Sequence, residues 1–106
     1  MNVTKTPLPD VPLPAGAVDA DSWQAGEPQP YRIFSGTYRR IIDHPLQVSP
    51  SAVQWADGST DDGRIEAPHV YVFELGENSP LNSDQARELA AALLEAAGEI
   101  DGWAGR

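Results

Sequence analysis

The stretch NSDQARELAAALLEAA, residues 82–97 of this 106-residue chain, carries the clearest structural signal in the sequence. Asn82 is a suitable helix N-cap, and Gln85 stands three residues later as its capping-box partner. The apolar residues that follow recur with the spacing of one helix face, namely Ala86, Leu89, Ala90, Leu93, Leu94 and Ala97. A helix of this length is marginal alone in water, so we expect this stripe to be covered as the lid of the core.

The end of the predicted helix is open between two alternatives. Gly98 is a suitable residue just beyond a helix C-terminus. Alternatively, the helix continues through Ile100 and ends at Asp101-Gly102. In either case we expect Trp103 to fold back onto the sheet or the helix.

Upstream of the helix, short runs of β-branched and aromatic residues predict strands. Gly36 divides the first run at a turn or a bulge, and His44-Pro45 ends it. Two Asp-Gly dipeptides in residues 57–63 predict a hairpin between two further strands. The first predicted strand is short, begins at Tyr31 and stops at Ser35-Gly36. The others are residues 37–43, residues 52–56, with Val53 and Trp55 facing the core, and residues 64–74, with a possible bend at Pro68.

The strand from His69 to Phe73 has apolar residues on both of its faces. Val70 and Val72 lie on one face, whereas His69, Tyr71 and Phe73 lie on the other. This pattern favours a strand whose second face meets a partner or the N-terminal segment, and we predict Tyr71 and Phe73 as partner-binding residues. Nothing obvious blocks pairing at the sheet edge, so self-association is a further expectation.

Residues 1–30 contain six of the ten prolines, which disfavours helix and central strand. We expect an extended arm here, and a solvated tail is favoured over an arm docked on the domain. Trp23 is the exception, because a large aromatic gains from burial, and it is the third predicted partner-binding residue. The fold class is therefore α+β: a small antiparallel sheet of about three to five strands packed against one C-terminal helix. A proline-rich arm (1–30) precedes a single domain (31–106).

Composition limits the classes of partner. The formal charge of −9 opposes direct binding to nucleic acid or to an anionic membrane, and it favours a basic protein surface. The absence of cysteine excludes disulfides and thiol chemistry. No signal-like or membrane-spanning apolar run is found, so we expect a cytoplasmic protein.

No residue cluster reaches the specificity of a catalytic, cofactor or metal signature. Asp57, Ser59, Asp61 and Asp62 lack the spacing of a calcium loop, and we expect a solvated hairpin tip. His44 and His69 lack zinc-site spacing. The basic residues Arg32, Arg39 and Arg40 are expected to pair with the protein's own acids. We therefore predict no catalytic residue, no cofactor and no metal, and a protein that is not an enzyme.

The segment from Leu81 to Ala97, with its QARELAAALLEAA helix, resembles the C-terminal helix of small uncharacterised proteins from actinobacteria, mycobacteria included, and from their phages. The resemblance extends more faintly to Asp57-Gly58 and to residues 69–73. It implies a bacterial or phage source and no particular activity, so no functional residues are carried over.

Three hypotheses of function follow. The leading one is a non-enzymatic interaction protein, a regulator or accessory factor, that holds a protein partner through its sheet face or its arm. The second is an acidic mimic of nucleic acid that inhibits a nucleic-acid-binding protein. The third is a small-molecule or metal-binding domain with a pocket between sheet and helix.

Overall fold

The computed structural model describes residues 10–74 and 80–105. It shows a small open antiparallel sheet and one C-terminal helix, so the α+β prediction is confirmed. The elements in chain order are β1 (Asp19–Ala20), β2 (Tyr31–Ser35), β3 (Arg39–Arg40), β4 (Leu46–Trp55), β5 (His69–Glu74) and α1 (Ser83–Trp103).

Strand β4 is the centre of the sheet. β2 and β3 both pair with one of its edges, β5 pairs with the other, and β1 pairs with β2. The register changes by one residue between β2 and β3, because Ser35 lies opposite Ser51 whereas Arg39 lies opposite Val48. Gly36 therefore marks a bulge, one of the two alternatives that the sequence left open.

β4 is twice as long as predicted, since it begins at Leu46 and runs straight through Pro50. A proline interrupts a central strand because it has no N–H to donate. In an antiparallel strand the N–H and C=O of one residue point to the same edge. The carbonyl of Pro50 accepts from Gly36 N, so its missing N–H faces the bulge, where regular pairing is already broken.

The predicted hairpin is present but its return strand begins later than expected. Gln54 forms an isolated bridge with Thr60, after which the chain leaves the sheet and rejoins it only at His69. The prediction that residues 64–68 belong to the strand is wrong. Pro68 ends the pairing on one side, and the chain before it turns around the carboxylate of Asp61 instead.

Helix α1 begins as predicted, with the complete capping box of Asn82 and Gln85. Neither predicted ending is correct, because the helix runs through Gly98 and Gly102 to Trp103. Trp103 holds this last turn down, since its ring packs edge-on against Phe34 at 4.7 Å between centroids and its indole N–H donates to Ala15 O at 2.9 Å. Among the described residues, no helix has the length and apolar character to cross a membrane.

The buried face of α1 differs from the predicted one. Ala92 and Ala96 are its buried residues, and with Leu89 they pack on a cluster formed by Ile41, Leu46 and Val48. Leu93 and Leu94 are 36% and 75% exposed, so the expectation that the whole stripe covers the core is wrong. Small alanines, rather than leucines, face the sheet because they allow the helix to approach it closely.

The arm contacts the domain from Val11 onward. The carbonyls of Val11, Pro12 and Ala15 accept hydrogen bonds from Arg32, Gln54 and Trp103, at 2.7–3.0 Å. β1 then adds a short strand to the sheet. For residues 10–30 the favoured expectation of a solvated tail is therefore wrong; residues 1–9 lie outside the described part of the chain.

Candidate functional site

The candidate site is the surface of the sheet that faces away from α1. Directly opposed residues of antiparallel strands share a face, and Leu46, Val48 and Val70 lie on the α1 side. The other surface, here called the open face, is therefore formed by the alternate positions. It consists of Asp19 of β1, Tyr31, Ile33 and Ser35 of β2, Arg40 of β3, Gln47, Ser49, Ser51, Val53 and Trp55 of β4, and His69, Tyr71 and Phe73 of β5.

One end of the open face is covered and the other is not. Val53 and Trp55 are buried, as predicted, but they lie on the side away from α1. The segment around Asp61 lies beside them, because the indole N–H of Trp55 donates to Asp61 Oδ1 at 3.3 Å. Towards the other end, Tyr71 is 50% exposed and Phe73 is half-buried.

Tyr71 occupies a fixed position on this surface. Its ring meets the ring of His69 edge-on, with centroids 4.5 Å apart and planes at 83°. Ser49 lies opposite Tyr71 in β4, and this small buried residue leaves room above the strand. The result is a half-exposed aromatic with a rigid backbone and a packed neighbour, which costs little conformational entropy when it binds a partner.

His69 is held by its own turn rather than by a metal site. Its Nδ1 lies 2.9 Å from Ala67 O, which accepts a hydrogen bond from the Nδ1-protonated tautomer. Its Nε2 lies 3.8 Å from the Glu66 carboxylate. Across residues 10–74 and 80–105, no group of three His, Asp or Glu side chains is arranged to hold a metal ion.

Asp61 is the buried carboxylate beside the covered end of the open face. Its carboxylate accepts from the backbone N–H groups of Arg64, Ile65 and Glu66 at 2.7–3.1 Å, and only 2% of the residue is exposed. Burial alone would raise the pKa of Asp61, but these backbone donors outweigh it and lower the pKa below its ordinary value. The prediction that this residue belongs to a solvated tip is wrong, since it organises the segment that follows it.

The neighbouring Asp57 does belong to an exposed turn. Its carboxylate accepts from Ser59 Oγ at 2.6 Å and from Ser59 N at 2.9 Å, and these bonds lower the pKa of Asp57. Asp57 and Asp61 therefore use their oxygens on different local donors.

Trp23 is not brought together with Tyr71 and Phe73. The guanidinium of Arg32 lies over its ring, 4.4 Å from the centroid, and Arg32 projects to the α1 side of the sheet beside Gln54. This cation–π contact confirms that Trp23 packs on the folded domain. A common surface for all three predicted residues is thus absent from the described part of the chain.

The three arginines of the basic run lie in separate surroundings, and Arg40 stands on the open face, opposite Gln47 of β4. Arg39 pairs with Glu95 and Glu99 of α1, so the expected pairing with the protein's own acids is confirmed for this residue. These two glutamates raise the pKa of Arg39 against the opposing effect of burial. Arg32 instead binds the Gln54 side chain and Val11 O.

A cleft of about 720 Å³ lies between the arm, the end of α1 and the turn at residues 57–60. Its floor includes Gln54, whose amide donates to Pro12 O and to Gly58 O and whose oxygen accepts from Arg32. The buried polar group of the cleft is therefore already used to hold the arm. The cleft is therefore the groove between the docked arm and the rest of the domain.

No protein-family model matches the chain, and no curated protein or solved structure shows significant similarity to it.

Proposed function

We propose that this chain is a non-enzymatic interaction protein that binds a protein partner through the open face, with Tyr71 and Phe73 as its central contacts. The observation that supports this function is the placement of half-exposed aromatics on the side of the sheet that α1 does not cover. Aromatic residues with fixed backbones are enriched among the residues that dominate binding energy at protein interfaces.

Charge favours a particular kind of partner. The chain has 16 acidic and seven basic residues, so the approach of a basic surface is favoured over that of an acidic one. We therefore propose a partner that presents an apolar patch within a basic surround. We also propose a cytoplasmic location and, from the QARELAAALLEAA helix, an actinobacterial or phage source.

The test compares three versions of the full chain as bait in an actinobacterial lysate: wild type, Tyr71→Ser and Val18→Ser. Val18 is 57% exposed and lies beside β1, at the opposite side of the sheet, which makes it a matched control for removing an exposed apolar group. A captured protein is then purified, and its Kd for each version is measured at low and high salt.

We expect the Tyr71→Ser variant to bind at least tenfold more weakly, the Val18→Ser variant to bind as the wild type does, and added salt to weaken binding. Capture that is equal for all three versions, or no capture by any of them, would contradict the proposal. Circular dichroism of each bait excludes unfolding as the cause of a loss.

A second candidate function is small-molecule binding in the cleft beneath the arm, which its volume of about 720 Å³ favours. A thermal-shift panel of metabolites tests this candidate. A shift that is abolished by Trp103→Ala, which removes one wall of the cleft, would support it, whereas a flat panel would remove it. Nothing comparable favours nucleic-acid mimicry, because Asp61, Glu88, Glu95 and Glu99 accept hydrogen bonds within the described fold.

A further inference from the structure

The surface of α1 is divided between an acidic flank and an apolar flank. The acidic flank faces β3: the Glu88 carboxylate accepts from Ile42 N at 3.1 Å, and Arg39 binds both Glu95 and Glu99. At about 100° per residue, the opposite flank carries the stripe that the sequence predicted as the core face. Its members are Ala86, Leu89, Ala90, Leu93, Leu94 and Ala97. Because β3 and β5 lie on opposite edges of β4, the apolar flank is turned towards β5.

The outer edge of β5 lies below the same flank. Within residues 10–74 and 80–105, β5 pairs with β4 and with no other strand. Pro50 O accepts a hydrogen bond from Gly36 N on the edge of β4 that faces away from β5. Even-numbered residues of β4 therefore bond to that edge, and odd-numbered residues bond to β5. Their partners in β5 are His69, Tyr71 and Phe73. The peptide groups of Val70, Val72 and Glu74 consequently point to the outer edge.

Within the described residues, this edge shows none of the usual protection against pairing. β5 contains no proline, no lysine and no bulge, and its one acidic residue, Glu74, stands at its end. The Val72 side chain, on the α1 side, is 49% exposed. A strand edge that is open to pairing and an exposed apolar stripe of α1 thus lie next to each other.

We infer that a second copy of this chain covers the edge of β5 and the apolar stripe at once. The two copies are related by a two-fold axis that is perpendicular to the sheet and lies between the two β5 strands, at their centre. This operation pairs β5 antiparallel with its symmetry mate and places both helices on the same side of the joined sheet. Paired strands are about 4.8 Å apart, and α1 packs on Leu46 and Val48 of β4 and on Val70 of β5. Both helices then lie on one side of the joined sheet, with their apolar flanks turned towards the axis.

The chemistry of the contact fits a copy of itself. A two-fold axis brings each surface against the same surface, and an apolar stripe is complementary to itself whereas an acidic flank is not. The three glutamates of the acidic flank, Glu88, Glu95 and Glu99, lie away from the axis, so their charge is kept distant from the contact. Asp101, four residues after Ala97, stands at the end of the stripe.

The size of the contact predicts a reversible dimer. The six residues of β5 span about 20 Å, and the stripe from Ala86 to Ala97 spans about 18 Å. A strip of this length that includes the strand edge and the side of the helix removes on the order of 1,000 Å² from water, counting both copies. This area is at the lower limit for a specific interface, and we expect a dissociation constant in the micromolar range.

The dimer would also double the proposed binding surface. Tyr71 and Phe73 of both copies would lie side by side around the axis, on the open face of a continuous sheet. The inference does not rest on the proposed function, because the stripe and the strand edge carry it, and dimerisation is measured on the purified chain alone.

The first test is sedimentation of wild type, Leu94→Glu, Ala90→Glu and Val18→Glu from about 2 to 200 μM. Leu94 is 75% exposed, so a glutamate there leaves the monomer core untouched. Wild type and Val18→Glu should dimerise with similar constants, while the two stripe variants should dimerise at least 100-fold more weakly. A wild type that stays monomeric at 200 μM, or a dimer that both stripe variants retain, overturns the inference.

The second test uses the absence of cysteine from the chain, since one introduced cysteine is then the only thiol. The axis passes at Tyr71 or at Val72, where facing Cα atoms are about 4.5–5.5 Å apart, within disulfide range. Under mild oxidation, Tyr71→Cys or Val72→Cys should form a covalent dimer at least tenfold faster than Val18→Cys. Equal rates at all three positions would overturn the inference.

Discussion

Replacing Asp61 with asparagine should destabilise the fold far more than is usual for an aspartate in a polar turn, because this residue is buried. The substitution keeps Oδ1, which accepts from Trp55 and Arg64, but places an NH2 group where Oδ2 accepts from Ile65 N at 2.7 Å and Glu66 N at 2.9 Å. Two hydrogen bonds to a charged acceptor are lost, each contributing about 1.5–3 kcal/mol. With partial relaxation of the exposed residues 64–66, we expect a loss of about 3 kcal/mol.

The assay is urea unfolding monitored by tryptophan fluorescence at pH 7. For a chain of this size the dependence on urea is about 1–1.5 kcal/mol per molar, so the midpoint should fall by about 2–3 M. Asp62→Asn is the matched control, because Asp62 is the exposed neighbour of Asp61. The control should change the free energy of unfolding by less than about 0.5 kcal/mol.

The pH dependence gives a second readout of the same contact. The folded-state pKa of Asp61 lies below its unfolded value of about 3.9, so its contribution is fully present above about pH 5. That contribution is lost as the pH falls through 3.9 towards the folded-state pKa. The stability difference between wild type and Asp61→Asn should therefore shrink below about pH 4. Equal effects of the Asp61 and Asp62 variants, or a difference that does not change with pH, would refute the reasoning.

Three further substitutions test the packing of the fold. Gly36→Ala should cost about 2 kcal/mol or more in urea unfolding, because a Cβ there would lie 2.9 Å from the Trp103 indole. Gly98→Ala, where a Cβ meets no atom within 4 Å, should instead stabilise α1 by about 0.5–1 kcal/mol, and the reverse order of the two would contradict this packing. Asn82→Ala should cost about 1 kcal/mol through loss of the capping box, measured by thermal unfolding; an unchanged Tm would show that the cap is dispensable. Trp103→Phe keeps the ring but loses the bond to Ala15 O, so it should cost about 1 kcal/mol and speed proteolysis of the arm; unaltered cleavage would argue against arm docking through this bond.

Local chemistry in the sequence is sufficient to predict the start of α1 and the alternation within β5, but not β1 or the first half of β4. Asn82 and Gln85 cap α1 as expected, and the alternation in residues 69–73 correctly separates Val70 from Tyr71. Both signals depend on neighbours within a few residues, which is the range over which capping and strand alternation act. The candidate contacts Tyr71 and Phe73 were found in this way; their role in binding stays a prediction.

The failures concern contacts between distant residues. The two endings that the sequence offers for the helix, Gly98 and Asp101-Gly102, both stop short of Trp103. Trp103 is held by Phe34 and Ala15, which lie 69 and 88 positions earlier in the chain. The widest apolar stripe of α1 predicts the core face, whereas Ala92 and Ala96 face the core and Arg39 of β3 pairs with Glu95 and Glu99 beside them. Asp61 resembles any turn aspartate in composition, and only the return of the chain around it shows that it is buried.

The central position of β4 determines how this protein can open. β2, β3, β5 and α1 all contact β4, and β1 is attached through β2. In the described part of the chain, no pair of the other elements forms a separate core, so β4 cannot detach while the rest of the sheet persists. In native-state hydrogen exchange the amides of β4 should therefore all exchange through one global opening, with a single free energy equal to that of complete unfolding. The domain would then behave as one indivisible cooperative unit.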